Sequence, residues 1–413
     1  MTPELDDFPA RLPEGVLVDL LQATQQIAVQ VDTLLGPVAE RRKQLRQHLL
    51  DDGIIQPVGP PARGASVVAV DGGAAHDELY AVDVVAAVAV AAQGLRSQPL
   101  PPAGPEARRP SATPPSRSTA NGRRRPPQDA AAAAHETWIQ ILRHAPELER
   151  LAQAAMFAME LALLDKLFQD VCIFDGSHLT AAVRIGGALC SQSAAVRRGA
   201  VELCERFAVV EALTRFCDPV AGARFVALPK ADSSRCLSSR FEARYGICLP
   251  ATDKFLAAQV LEPGEMFRPA KVPKAWEQLH ISARSGAEAP VRDLAAALDE
   301  AIEPLRRRGQ GQGIGVTYVK PESCSTALRV ELKASRGREH ATWLARVLSD
   351  ETPGPYLQEP YAQHQADLWA KSIGVGVDGA IQAMRLAIAG EGDPSYLEYL
   401  LRSYRTTMTG GRA

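Results

Sequence analysis

Aromatic residues are scarce in this chain, 5% of 413 residues, and cysteine is sparse and scattered. The seven cysteines at 172, 190, 204, 217, 236, 248 and 324 form no CxxC pair. That pattern argues against both a disulfide framework and a zinc site, and for reduced thiols. Long charge-free apolar runs are also missing. The richest stretch, residues 82–92, carries Asp83 and is too short to span a bilayer, so no membrane association is expected. Residues 1–15 lack a basic region followed by an apolar block, so a secretory signal is not expected and the cytoplasm is the default location. Net charge is only −2, which rules out chain-wide electrostatic attraction to nucleic acid. Basic residues do cluster at 123–125, 197–198 and 306–308, either as phosphate contacts or as solvated helix ends.

What is present is ordinary globular material: 46% hydrophobic and 23% charged residues, enough for one large core with insertions or two domains. Residues 14–50 read as an amphipathic helix, with Leu17, Leu20, Leu21, Ile27, Val31, Leu34, Leu35 and Val38 on one stripe and a kink or break at Gly36-Pro37. Its apolar face is either packed on the domain or a dimer contact. Residues 66–70 form a short β-branched run stopped by Asp71-Gly72-Gly73, and a second strand follows over 79–92. Composition then breaks: residues 94–129 hold nine prolines and seven arginines and almost no large apolar residue. Such a segment buries too little surface to order itself, and a disordered basic insertion is expected there. Residues 130–169 read as helix, 171–174 as a buried strand, 194–216 as helix, 224–230 as a strand and 251–265 as helix. Further on, 295–308 reads as helix, 315–319 and 327–332 as paired strands, and the chain from Tyr361 onward as mainly helical. Helices interleaved with apolar strands predict an α/β fold with a mixed sheet.

Two strands share an ending, VVAVDGG (67–73) and CIFDGS (172–177). A buried strand leading into Asp-Gly delivers a carboxylate to the rim of a sheet, where the glycine lets the chain turn away. Two such aspartates on neighbouring strands repel unless a cation lies between them. Hard oxygen ligands suit Mg²⁺ or Mn²⁺, and a pair of such ions is the usual apparatus for in-line phosphodiester cleavage. Glu160, on the helix before the second strand, is placed to supply a third carboxylate. Asp-Gly after a strand is equally a plain turn signal, so each motif alone is ambiguous.

These segments resemble the NurA nuclease family. The resemblance runs through VVAVDGG, LYAVDVVAAVAVA, MFAMELALLDKLFQDVCIFDGSHL, RFVALPKADSSR, ATDKFLAAQVLEPGEMF, TALRVEL and PYLQEPYAQHQADLWA, in family order over about residues 65–375. It implies an RNase H-like mixed sheet flanked by helices, between an N-terminal helical segment (1–60) and a C-terminal helical tail (376–413), with the nuclease domain at 61–375. It implies a Mn²⁺- (or Mg²⁺-) dependent DNA nuclease with 5′→3′ exonuclease and single-strand endonuclease activity. It further implies a homodimer working beside a HerA-type hexameric ATPase in DNA end processing or anti-phage defence. Carried over by position, the metal ligands fall on Asp71, Glu160 and Asp175, with Asp165 competing for the middle place. The family's tyrosine and histidine fall on Tyr356 and His364, with Tyr361 the competing tyrosine and His364 also a ligand candidate. Lys230, with Arg235 in the same segment, would meet substrate phosphate. His178 is a further neighbour of Asp175. The first motif is DGG where the family commonly has DGS, which removes a hydroxyl and leaves the ligand.

Two other readings use the same residues. One is a catalytically weak subunit that docks on and regulates the ATPase. The other, a sugar-kinase-like phosphotransferase, needs a Gly-rich phosphate loop before a helix. The only candidate, residues 309–315, precedes a strand.

Overall fold

Runs rich in Val, Ile and Ala build a ten-stranded mixed sheet in the computed structural model. It describes residues 14–60, 64–79, 82–95, 134–231, 233–249, 251–271, 277–307, 313–372 and a few positions between 376 and 386. The chain opens with α1 (Glu14–Asp51) and β1 (Ile55–Pro57), followed by β2 (Val67–Glu78), β3 (Val82–Gln93) and β4 (Ala134–Arg143). Next come α2 (Leu148–Asp165), β5 (Val171–Phe174), α3 (Thr180–Leu189), α4 (Ala194–Arg206), α5 (Val209–Cys217) and β6 (Phe225–Ala227). The second half holds α6 (Cys236–Tyr245), α7 (Asp253–Val260), β7 (Glu265–Phe267), β8 (Ala270–Lys271), α8 (Ala289–Ala301) and one helical turn, α9 (Glu303–Arg306). It ends with β9 (Ile314–Lys320), β10 (Leu328–Lys333), α10 (Gly337–Asp350) and α11 (Tyr361–Ala370).

The strand order is β1-β7-β9-β10-β6-β5-β2-β3-β4, with β8 paired to β9. The centre, β6-β5-β2, is parallel, and the flanks are antiparallel. Alternation along the central strands sends side chains to two cores. Val68, Val70, Cys172 and Phe174 pack with α2 to α5 and α8. Val67, Ala69, Val171 and Ile173 pack on the other face against α10 and α11. A third core joins the end of α1 to α6 and α7 through Leu45, Leu49, Phe241 and Leu256.

Several expectations are corrected. Asp71-Gly72-Gly73 does not stop β2. The strand continues to Glu78 because Gly72 and Gly73 stay in antiparallel register with Ala89 and Val88 of β3. Residues 134–143 of the expected helix 130–169 are the edge strand β4, set by its pairing with β3, and residues 130–133 lie outside the described residues. The expected helix 194–216 is two helices, parted at Phe207-Ala208, where Ala208 takes a left-handed φ of 48°. Helix α1 runs through Gly36-Pro37 without interruption. Arg306 of the 306–308 cluster is buried and ion-paired with Asp299 and Glu303, so it is spent on structure and not on phosphate. Within the 94–129 insertion, only Gly94 and Leu95 belong to the described residues.

Candidate metal centre

Strand register creates the site. Val70 pairs with Phe174 as the last parallel rung between β2 and β5, so Asp71 and Asp175 are the next residue on each strand. The Asp175 N–H donates to the Val70 carbonyl at 3.3 Å, which holds the two ends together. Gly176 follows with φ 135°, a conformation that favours glycine, and lets the chain leave the sheet. Odd positions on both strands face α11, and so do these carboxylates.

Helix α11 brings a third aspartate. Gln363 and Asp367 are four residues apart, so they share one helix face. Ala362, Ala366 and Ala370 seat that helix on the sheet, where small side chains allow close approach. Among the described residues, only Asp71, Asp175 and Asp367 form a group with ligand atoms all within 4.8 Å of one another. The sequence reading missed Asp367. Its signal was the H-x-x-D spacing of His364 and Asp367, which puts both on neighbouring helical positions.

Lys230 sits among these groups. Its Nζ lies 2.8 Å from Asp175 Oδ2, 2.7 Å from Asp367 Oδ1, and 3.5 Å from both Asp71 Oδ2 and Glu359 Oε2. Burial works to lower the lysine's pKa, but Asp175, Asp367 and Asp71 together leave it raised. The Lys230 backbone is fixed separately, its carbonyl accepting from Lys254 Nζ at 2.8 Å.

Glu160 stands on the other side of β2, buried and pressed against Gly72. A Cβ on Gly72 would come within 2.3 Å of Glu160 Oε1 and 2.5 Å of Met156 Cγ, so only glycine fits beside this carboxylate. Glu160 Oε2 is buried and has no hydrogen-bond partner among the described residues. Its carboxyl is pushed well above the ordinary range by burial and then by Asp71 and Asp175. Asp71 is raised to about 8, by burial first and then by Asp175, against the opposing charge of Lys230. In Asp367 burial is outweighed by hydrogen bonds from Lys230 and Lys371, and its pKa is lowered.

The other expected residues are placed as follows. Asp165 ends α2 in an ion pair with Arg215, away from the cluster, whereas Glu160 feels both aspartates. His364 donates from Nδ1 to Glu359 Oε1 at 3.2 Å and lines a cavity of about 380 Å³ beside Lys230, Lys254, Arg329 and Tyr356. Tyr356 is 96% exposed at the rim of that cavity. Tyr361 begins α11, its N–H donating to the Glu351 carbonyl. Arg235 is exposed at the start of α6, where its charge acts on the Cys248 thiol. His178 is corrected: it is fully buried against Phe216 and Glu331, with burial pushing its pKa down to about 4.

Behind Asp175, a buried polar network holds the turn. Glu331 Oε2 accepts from Ser177 Oγ at 2.9 Å and from the His178 N–H at 3.1 Å, while Arg329 donates to Oε1 at 2.8 Å. Gln363 Nε2 donates to Asp175 Oδ1 and to the Leu228 carbonyl, both at 3.0 Å. Sequence reading found neither Gln363 nor Glu331 as supports, because nothing local marks a residue that acts through another.

The donor set is all oxygen and crowded. Carboxylates forced toward protonation, an orphaned buried oxygen and an ammonium held by four acids are features that a hard divalent cation would satisfy. The residues present fit such an ion.

No family model matches this sequence, and no curated protein matches it. Solved structures do. The NurA nuclease from Sulfolobus solfataricus is similar over 89% of this chain and 97% of its own, at 12% identity and a TM-score of 0.50. A structure of NurA with manganese is similar over 90% of this chain and 99% of its own, at 9% identity and a TM-score of 0.47. A structure of NurA bound to dAMP and manganese covers 83% and 92%, at 10% identity and a TM-score of 0.39. The order of motifs in the sequence and the architecture of the sheet therefore agree: this chain has the fold of the NurA nucleases.

Proposed function

We propose that the chain is a divalent-metal-dependent DNA nuclease that hydrolyses phosphodiester bonds at the Asp71–Asp175–Asp367 cluster. The observation that carries this reading is the convergence of three aspartate oxygens within 4.8 Å at the rim of a sheet, with Glu160 buried beside them. Asp71, Asp175 and Asp367 would hold the ion, with Glu160 buried on the far side of β2 adding negative charge behind them, and Mn²⁺ or Mg²⁺ suits the oxygen donors. When bound, such ions activate the attacking water and stabilise the leaving oxygen.

The protein's own groups do the rest. His364, oriented by Glu359 through Nδ1, presents Nε2 as the group able to take or give a proton at the reacting oxygens. Lys230 and Lys254 line the adjoining cavity with positive charge suited to phosphate, while Arg329 on its wall is paired to Glu331. Tyr356, exposed at its mouth, offers a ring on which a base can stack. Arg235, further out on α6, serves the flanking backbone.

A Mn²⁺-dependent digestion of single- and double-stranded DNA tests this. Wild type is expected to cleave, and D71A and D175A are expected to lose at least about a hundredfold of the rate. No cleavage by wild type at any Mn²⁺ or Mg²⁺ concentration would favour the docking-subunit reading instead. The finer features, 5′→3′ polarity with single-strand endonuclease activity, a homodimer, and work beside a HerA-type hexameric ATPase in end processing or anti-phage defence, rest on the motif resemblance. Light scattering and co-elution with such an ATPase check the last two; a monomeric mass and separate elution would remove them.

A further inference from the structure

Four carboxylates meet one ammonium here, and that ratio is the telling feature. Asp71, Asp175, Glu359 and Asp367 all lie within 3.5 Å of Lys230 Nζ. Four acids converging on one point in a partly buried site would repel one another strongly without a positive charge among them. The lysine supplies one charge where the cluster carries several, so it neutralises the site incompletely. Its side chain remains one third exposed, while Lys254 pins its backbone carbonyl. The stem can therefore move without moving the loop.

We propose that Lys230 is a built-in counter-ion: its ammonium occupies the cation position of the carboxylate cluster until a divalent ion displaces it into the adjoining cavity, where it meets substrate phosphate. This rests on the metal-nuclease reading above and adds to it an order of events and a role for Lys230 in both states. A divalent cation brings two charges and takes up to six oxygen ligands, whereas an ammonium has only three donors to share among four acids. The ion should therefore win the site, at the cost of breaking contacts at 2.7 and 2.8 Å. The cavity lined by Tyr356, Gln358 and His364 also reaches Lys230, so the displaced group stays within reach of DNA.

Two measurements on the full chain test this. Calorimetric titration with Mn²⁺ should show K230M binding the ion at least about tenfold more tightly than wild type, because no ammonium has to be displaced. Amine labelling of wild type, read by mass spectrometry at Lys230, should speed up several-fold when Mn²⁺ is added, a change that a fixed structural lysine would not give. Equal or weaker Mn²⁺ binding by K230M, or unchanged labelling, would overturn the counter-ion role while leaving the metal reading intact. Wild type and K230M both failing to bind Mn²⁺ would overturn the metal reading and this inference together. The labelling arm needs no variant, so a poorly folded K230M does not blunt the test.

Discussion

At the scale of single residues, the site is defined by carboxyl groups that burial pushes toward their neutral form. Asp71 and Glu160 both have raised pKa values, chiefly from burial. A carboxyl whose folded pKa exceeds its unfolded value binds more protons in the native state, so stability falls as pH rises between the two values. For Asp71 that window runs from 3.8 to about 8. The metal-free protein should therefore lose melting temperature as pH is raised through this range, and D71N should lose less. Added Mn²⁺ should flatten the decline, since bound cation stabilises the ionised carboxylates. Melting curves across this range check it, and a wild-type profile identical to that of D71N would contradict it.

Gly72 and Gly176 show how much of this was readable. The Asp-Gly pairs were visible in the sequence, and Gly176 does have the positive φ that a turn requires. Gly72 does not turn the chain: it remains in a strand and makes room for Glu160 and Met156. A turn signal and a close-approach signal look the same in one dimension.

At the scale of elements, α11 supplies most of what the sequence did not reveal. Its side chains reach the strand ends from across one face of the sheet, and long-range packing of that kind has no local periodicity. Gln363 is the clearest case, buried and bridging Asp175 to the Leu228 carbonyl. Groups that orient a ligand typically cost about 10–100-fold in metal affinity or activity when removed. Q363A is expected to weaken Mn²⁺ binding by that amount while retaining its helix, which Ala362, Ala366 and Ala370 anchor. Unchanged Mn²⁺ affinity in a calorimetric titration would show that Asp175 needs no such support. Strands β2 and β5 were legible because buried parallel strands read as apolar runs. Strand β4 was not: its burial alternates strictly, but Ile139 and Ile141 fall on the exposed side and hide that period in the sequence, and its pairing with β3 comes from outside the segment.

At the scale of the whole molecule, the acidic cluster sits where parallel and antiparallel pairing meet. Strand β5 stops at Phe174 while β2 runs on beside β3, which leaves Asp71 and Asp175 together at an open edge covered by α11. Loops bearing Lys230 and Tyr356 close around that edge and form the cavity. Helices pack both faces of the sheet, so the rim is where solvent reaches these acids. No helix among the described residues is long and apolar enough to cross a membrane.

Anomalous scattering from crystals grown with Mn²⁺ would locate the ion among these carboxylates. The expected result is a manganese peak bonded to carboxylate oxygens of Asp71 and Asp175, with Lys230 Nζ moved away from them. Manganese bound elsewhere, with the lysine still paired to Asp175 and Asp367, would contradict it.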